Sequence, residues 1–190
     1  FMRIIAGTAR GTRLRAPKGW DTRPTADRVK ESLFDILGAR VQNACVLDLF
    51  AGTGALGLEA LSRGAAHAVL VDKATPAVLR ENAAHTRLAE RTEIRAGDAF
   101  SELARFSREE RVFDFIFCDP PYRLGLWARA IASIDAGALL AKDGVVVCEH
   151  GADENELPAL SSLACIDRRS YGRATQLSFW KRCGKEGGVS

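Results

Sequence analysis

The chain has 190 residues, 47% hydrophobic, 27% charged and 7% aromatic, a balance that excludes a disordered or collagen-like polypeptide. At this length about 70% of the unfolded surface can be buried, so a core forms without metal or disulfide staples. Apolar runs are strand-sized and broken by Asp, Arg or Gly, well short of the roughly 20 residues that span a bilayer.

Phe1-Met2-Arg3 leads into no apolar signal core, and Phe1 ahead of Met2 reads as a cloning remnant, so a cytoplasmic protein with no membrane partner is expected. Five cysteines (Cys45, Cys118, Cys148, Cys165, Cys183) are an odd number, and none lie closer than 17 positions, which excludes CxxC spacings. They are expected to be free thiols. His67, His85 and His150 are scattered, so no metal site is expected.

The net charge of +3 is concentrated: residues 1–23 hold six basic side chains against one acid, Asp21. Such an arm is the footprint of a polyanion partner, and Arg10, Arg13, Arg15, Arg23 and Arg28 are candidate nucleic-acid contacts. A solvated basic edge that blunts aggregation is the plainer reading.

In chain order, residues 3–6 and 12–15 flank Gly7 and Gly11 as a short basic hairpin. Residues 23–37 carry Val29, Leu33, Ile36 and Leu37 at helical spacing and end at Gly38, which predicts an amphipathic helix. Strands are then expected at 45–50, 68–72, 92–96, 113–118 and 144–149, alternating with helices near 55–63, 75–88, 100–106, 124–136 and 153–160. This alternation predicts right-handed crossovers and a parallel sheet covered on both faces, an α/β fold. Runs at 163–170 and 174–181 around Gly172 read as a closing hairpin. The expected organisation is an appendage at 1–40, a main domain at 41–183 and a disordered tail at 184–190.

Within LDLFAGTGALGLEALSRGA, Gly52, Gly54 and Gly57 satisfy G-x-G-x-x-G between a strand and a helix, so a nucleotide-like ligand is expected on the loop. Asp72 ends the second strand, where a carboxylate accepts from ribose hydroxyls, and Asp98 follows the third, within reach of an adenine amine. These features fit a nicotinamide dinucleotide and S-adenosylmethionine alike. Asp48, four positions before Gly52, favours a ligand carrying positive charge over a diphosphate, unless it only hydrogen-bonds the loop backbone.

The fourth strand ends in Asp119-Pro120-Pro121-Tyr122. Two prolines remove two N–H donors and leave carbonyl acceptors beside a carboxylate and an aromatic ring. An Asp side chain and a Pro carbonyl can accept both hydrogens of a planar NH2 while Tyr122 stacks on the base that bears it. A strand terminator with an incidental Asp is the plainer reading.

RIIAGTARGTRLRAP, RPTADRVKESLFDIL, LDLFAGTGALGLEALSRGA and DPPY together make the chain resemble the class I S-adenosylmethionine-dependent methyltransferases, and among them the RsmD-type 16S ribosomal RNA guanine-N2 methyltransferases. DPPY alone is less specific, being shared with DNA amino-methyltransferases. The resemblance implies a Rossmann-like seven-stranded sheet in the order 3-2-1-4-5-7-6. It implies S-adenosylmethionine held by Asp48, Phe50, Ala51, Gly52, Gly54, Asp72, Lys73, Asp98 and Ala99, and an amine pocket of Asp119, Pro120 and Tyr122. It further implies guanine 966 of the small-subunit RNA as target, in an assembling particle, for a monomeric enzyme. A DNA amino-methyltransferase is the first alternative, but no segment remains for a target-recognition region. An NAD-dependent oxidoreductase and an inactive nucleic-acid-binding module are more distant, disfavoured by Asp48 with DPPY and by the intact Asp119 motif respectively.

Overall fold

A computed structural model describes residues 2–20 and 24–184, so Arg23 and the tail beyond 184 lie outside the described residues. The elements are α1 (Pro24–Leu37), β1 (Cys45–Leu49), α2 (Ala55–Ser62), β2 (His67–Val71), α3 (Pro76–His85), β3 (Thr92–Arg95), α4 (Ala99–Arg108), β4 (Phe113–Cys118), α5 (Leu126–Gly137), β5 (Leu140–Gly151), β6 (Leu163–Tyr171) and β7 (Thr175–Arg182). The strands form one sheet in the order β3-β2-β1-β4-β5-β7-β6, as the resemblance implied. Neighbours from β3 to β5 are parallel, and β7 pairs antiparallel with β5 and β6.

Parallel central strands are buried on both faces, which is why CVLDL, HAVLV and FDFIFC read as nearly continuous apolar runs. Alternate residues face opposite layers. Val46, Phe115, Phe117 and Val147 pack with Leu33, Phe34, Leu58 and Leu79 on one side. Leu47, Leu49, Ile116 and Val146 pack with Leu103, Phe106, Trp127 and Ile131 on the other. After β1 the chain winds outward to β2 and β3, then returns to β4 on β1's other flank. That reversal opens a crevice at the carboxyl ends of β1 and β4.

The N-terminal hairpin pairs Arg3 with Arg13 and lies along α2. Glu59, fully buried on α2, accepts from the N–H groups of Ile5 (2.8 Å) and Ala6 (3.1 Å) and pairs with Arg63 (2.9 Å) and Lys30 (3.5 Å). Burial lowers the Lys30 ammonium pKa, and the Glu59 carboxylate opposes that loss. Gly7 sits at φ +84°, where a Cβ would come within 1.8 Å of the Ser62 carbonyl oxygen, so only glycine lets the hairpin tip close on the end of α2.

Two expected elements differ. No helix forms at 153–160: Pro158 disfavours helical backbone at Leu157, and Glu154 instead accepts from the N–H groups of Gly151 (2.7 Å) and Arg123 (3.0 Å). The fifth strand runs over 140–151 rather than 144–149, because Leu140 pairs with Phe113 across a register shift in the ladder. Among the described residues, no helix is long and apolar enough to cross a membrane.

Candidate active site

A cleft of about 840 Å³ opens at the carboxyl edge of the sheet. Of the residues expected there, Asp48, Phe50, Ala51, Gly52, Asp72, Lys73, Asp98, Ala99, Asp119, Pro120 and Tyr122 line it. Gly54 does not. It lies beneath the loop at φ +81°, capping α2 and packed against Leu58, Leu70 and Leu79, so it shapes the turn without touching the cleft.

The glycine loop is held from several sides. Phe50 adopts φ +57°, a strained value for a bulky residue, and turns the chain out of β1. Gly52 donates its N–H to Asp72 Oδ2 (2.9 Å), and its carbonyl accepts from Thr75 Oγ1 (2.7 Å). Asn82 Nδ2 donates to the Thr53 carbonyl (2.9 Å). A Cβ on Gly57 would approach Leu70 Cδ2 to 2.2 Å, so the third glycine of the motif lets α2 seat on the sheet.

Three carboxylates face this loop, each engaged by backbone. Asp48 is buried and accepts from Gly57 N–H (2.9 Å). Burial pushes its carboxyl up to about 8, with the Gly57 bond opposing and the nearby Asp72 charge adding to the rise. Asp48 fastens α2 through Gly57, as the plainer reading expects, and it also lines the cleft. Asp72 Oδ1 accepts from the N–H groups of Ala74 (2.8 Å) and Thr75 (3.0 Å). Asp98 caps α4 through Ser101 N–H (3.0 Å) while remaining exposed.

Across the cleft stands Asp119-Pro120-Pro121-Tyr122, directly after β4. Asp119 is open to the cleft, yet the protein crowding its carboxyl, with the charges of Glu149 and Asp48, holds its pKa well above the usual carboxylate range. The Tyr122 hydroxyl donates to Glu149 Oε1 (2.6 Å) and lies 3.1 Å from Thr175 Oγ1. Burial and the Glu149 carboxylate push the phenol pKa up. The phenol is thereby anchored at its polar end.

Sequence reasoning missed Glu149, Thr175, Met2 and Trp20. Glu149 ends an otherwise apolar VVVCE run one strand from Asp119, a signal that was available. Trp20, half exposed, lays its ring against Gly52, 3.1 Å from where a Cβ would stand. Nothing in its local sequence, a Gly-Trp pair past a basic arm, announces that contact.

Three of the basic candidates, Arg10, Arg13 and Arg15, spread along the hairpin. Arg10 is at its tip, where Thr8 N–H bonds the Ser62 carbonyl, at the end of α2 away from the cleft. Residues 12–15 climb back towards the rim, Leu14 N–H bonding the Met2 carbonyl, and Met2 lines the cleft. Arg15 is paired with Glu81 (2.6 Å), Arg13 lies opposite Arg3, and Arg28 is exposed on α1 beside Arg169. Among the described residues, no group of three or more His, Cys, Asp or Glu side chains could hold a metal ion.

This strand order, with a glycine loop after β1 facing acids at the ends of β2 and β3, defines a class I methyltransferase fold. The SAM-dependent methyltransferase of Agrobacterium tumefaciens shares that fold, with a TM-score of 0.64 at 18% identity over 90% of this chain and 66% of that one. Closer relatives narrow the assignment. The family model described as "Conserved hypothetical protein 95" matches residues 2–181. "Ribosomal RNA small subunit methyltransferase D" of Escherichia coli (strain K12) is 40% identical over 183 residues, covering 95% of this chain and 90% of its own. The solved structure of yhhF from Escherichia coli is 36% identical with a TM-score of 0.80, covering 95% of this chain and 97% of that chain. The chain belongs to this family, the RsmD-type methyltransferases.

Proposed function

We propose that this chain transfers a methyl group from S-adenosylmethionine to the exocyclic N2 amine of a guanine in 16S ribosomal RNA, guanine 966, in the cytoplasm. The single observation that carries the reading is Asp119-Pro120-Pro121-Tyr122 standing across one cleft from the glycine loop, in a chain of this family.

The donor set suits the methyl donor better than a dinucleotide. Asp48, Asp72 and Asp98 line the cleft, with Lys73 as the cation beside them. The Gly52 N–H, which a diphosphate would need, is already given to Asp72. Acids are matched to a sulfonium, an ammonium, vicinal hydroxyls and an adenine amine. When bound, S-adenosylmethionine supplies an activated methyl group.

The protein's own work is alignment. Asp119 and the Pro120 carbonyl accept the two hydrogens of the target NH2, which turns the nitrogen lone pair towards the cleft. With the methyl donor bound, these acceptors would stabilise the positive charge that develops on the amine nitrogen as it takes the methyl group. One proton then leaves nitrogen, for Asp119 or for solvent. Tyr122, fixed by Glu149 and Thr175, offers its ring to the base. RNA phosphates are contacted by Arg10, Arg13, Arg15, Arg23 and Arg28, and the chain acts as a monomer on an assembling small subunit. Residues 41–183 carry the chemistry and 1–40 the RNA-facing appendage.

Incubation with labelled S-adenosylmethionine and undermethylated small subunits, followed by nucleoside mass spectrometry, should yield N2-methylguanosine. Label in N6-methyladenosine or N4-methylcytosine, or no transfer to RNA at all, would reject the reading.

A further inference from the structure

β4 and β5 run parallel with Cys118 in register with Cys148. Asp119 and Glu149 are therefore the next adjacent pair, on the sheet face opposite the two cysteines and shared with Phe117 and Val147. Between that face and α1 lies a side pocket of about 120 Å³, opening beside Asp119 and walled by Leu33, Leu56, Phe117, Val147 and Leu177. Asp119 and Glu149 both line this pocket, and Asp119 lines the cleft as well. Because Tyr122 donates to Glu149 Oε1, the structure uses that carboxylate as an acceptor.

Asp27 and Lys30 also line this otherwise largely apolar pocket, and its two acceptors beside apolar walls suit a planar ring that presents two donors side by side. A base taken out of its stack is read in this way, by its faces and its Watson–Crick edge. Guanine offers N1–H beside its N2 amine. Adenine and cytosine instead place a ring-nitrogen lone pair beside their amine, which would face the carboxylate lone pairs.

The geometry points to Glu149 as the residue that selects guanine, accepting its N1–H while Asp119 and the Pro120 carbonyl hold the N2 amine. Glu149 is then a specificity determinant distinct from the methyl-transfer acceptors. This assignment rests on the reading that the proline-flanked Asp grips a nucleobase amine, and it goes further by naming what excludes other bases.

The test compares small-subunit RNA carrying guanine or 2-aminopurine at the target position. 2-Aminopurine keeps the reacting amine but has a lone pair at N1. The wild-type protein should prefer guanine in kcat/KM by about 10²-fold or more, since a site built to accept a hydrogen rejects the analogue lacking it. Glu149→Gln, whose amide can donate to that lone pair, should bring the preference within about tenfold while S-adenosylmethionine affinity stays unchanged. An unaltered preference in the variant would overturn the assignment. Failure of the wild-type protein to methylate any guanine would instead defeat the underlying reading.

Should Glu149→Gln not fold, RNA bearing inosine at the target, which keeps N1–H and lacks the amine, should inhibit the wild-type protein at least about tenfold better than RNA bearing adenosine. Equal inhibition would overturn the assignment.

Discussion

The two walls of the cleft are built on opposite electrostatic plans. On the glycine-loop side every acid is tied to backbone: Asp48 to Gly57, Asp72 to Gly52, Ala74 and Thr75, and Asp98 to Ser101. On the β4–β5 side, Asp119 and Glu149 are neighbouring carboxyls whose pKa values burial raises, with Glu149 adding to the rise at Asp119, and Glu149 leans on a phenol rather than on amides. The first wall is held by its own hydrogen bonds. The second stores acceptors whose charge a substrate amine can relieve. On the proposed function, binding falls to the first wall and chemistry to the second, so variants on either wall should have different signatures.

The largest effect is expected at Asp119. Asp119→Ala should lower methyl transfer by about 10²–10³-fold or more, while S-adenosylmethionine affinity measured by calorimetry stays within a few fold. A matching loss of affinity would mean the two walls are not independent.

Gly57→Ala attacks the other wall. The added methyl enters the space of Leu70 Cδ2, and an overpacking cost of about 1–3 kcal/mol should appear in denaturant unfolding, accompanied by weaker cofactor binding. Unchanged stability would show that α2 tolerates displacement.

Smaller again is the arm. Arg10→Glu with Arg13→Glu should weaken RNA association and reduce the slope of log K against log salt by about one for each phosphate that is no longer neutralised. Since Arg10 sits at the far end of α2, the single variant Arg10→Glu also reports whether RNA extends past the rim. No change in slope would remove the hairpin tip from the interface.

The subtlest prediction concerns Asp48. With its carboxyl near 8, a cationic ligand must favour the ionised form, so binding expels a proton. Affinity for S-adenosylmethionine should climb as pH rises to about 8 and level off above it, more steeply than for the uncharged thioether product; Asp48→Asn should bring the two curves together. Without ligand the sign reverses for stability. Asp48's folded pKa is raised, so its contribution is greatest at low pH and falls between the ordinary carboxylate range and about 8. Asp48→Asn should flatten that decline in thermal melts.

Local chemistry was legible where it depends on neighbours in the chain. Gly52, Gly54 and Gly57 could be recognised because a turn, a cap and a close helix–sheet contact each demand glycine, and Asp119-Pro120-Pro121-Tyr122 because two prolines dictate backbone acceptors wherever they stand. The alternation of apolar strands and amphipathic helices was equally readable, since burial on two faces imposes a continuous pattern on each parallel strand.

What tertiary structure alone decided are the contacts between residues far apart in sequence. Glu149 meets Tyr122 because β4 and β5 are adjacent in the sheet; Trp20 meets Gly52 because the hairpin folds back along α2; and Asp72 spends an oxygen on Gly52 that spacing alone would have left for a ribose. Periodicity specifies which face of an element is buried, but the partner a side chain finds depends on how elements pack. The segment after β5 shows the same division: the strand–helix alternation predicts a helix there, yet Glu154 satisfies the Gly151 and Arg123 amides instead, a choice available only once those segments have been brought together.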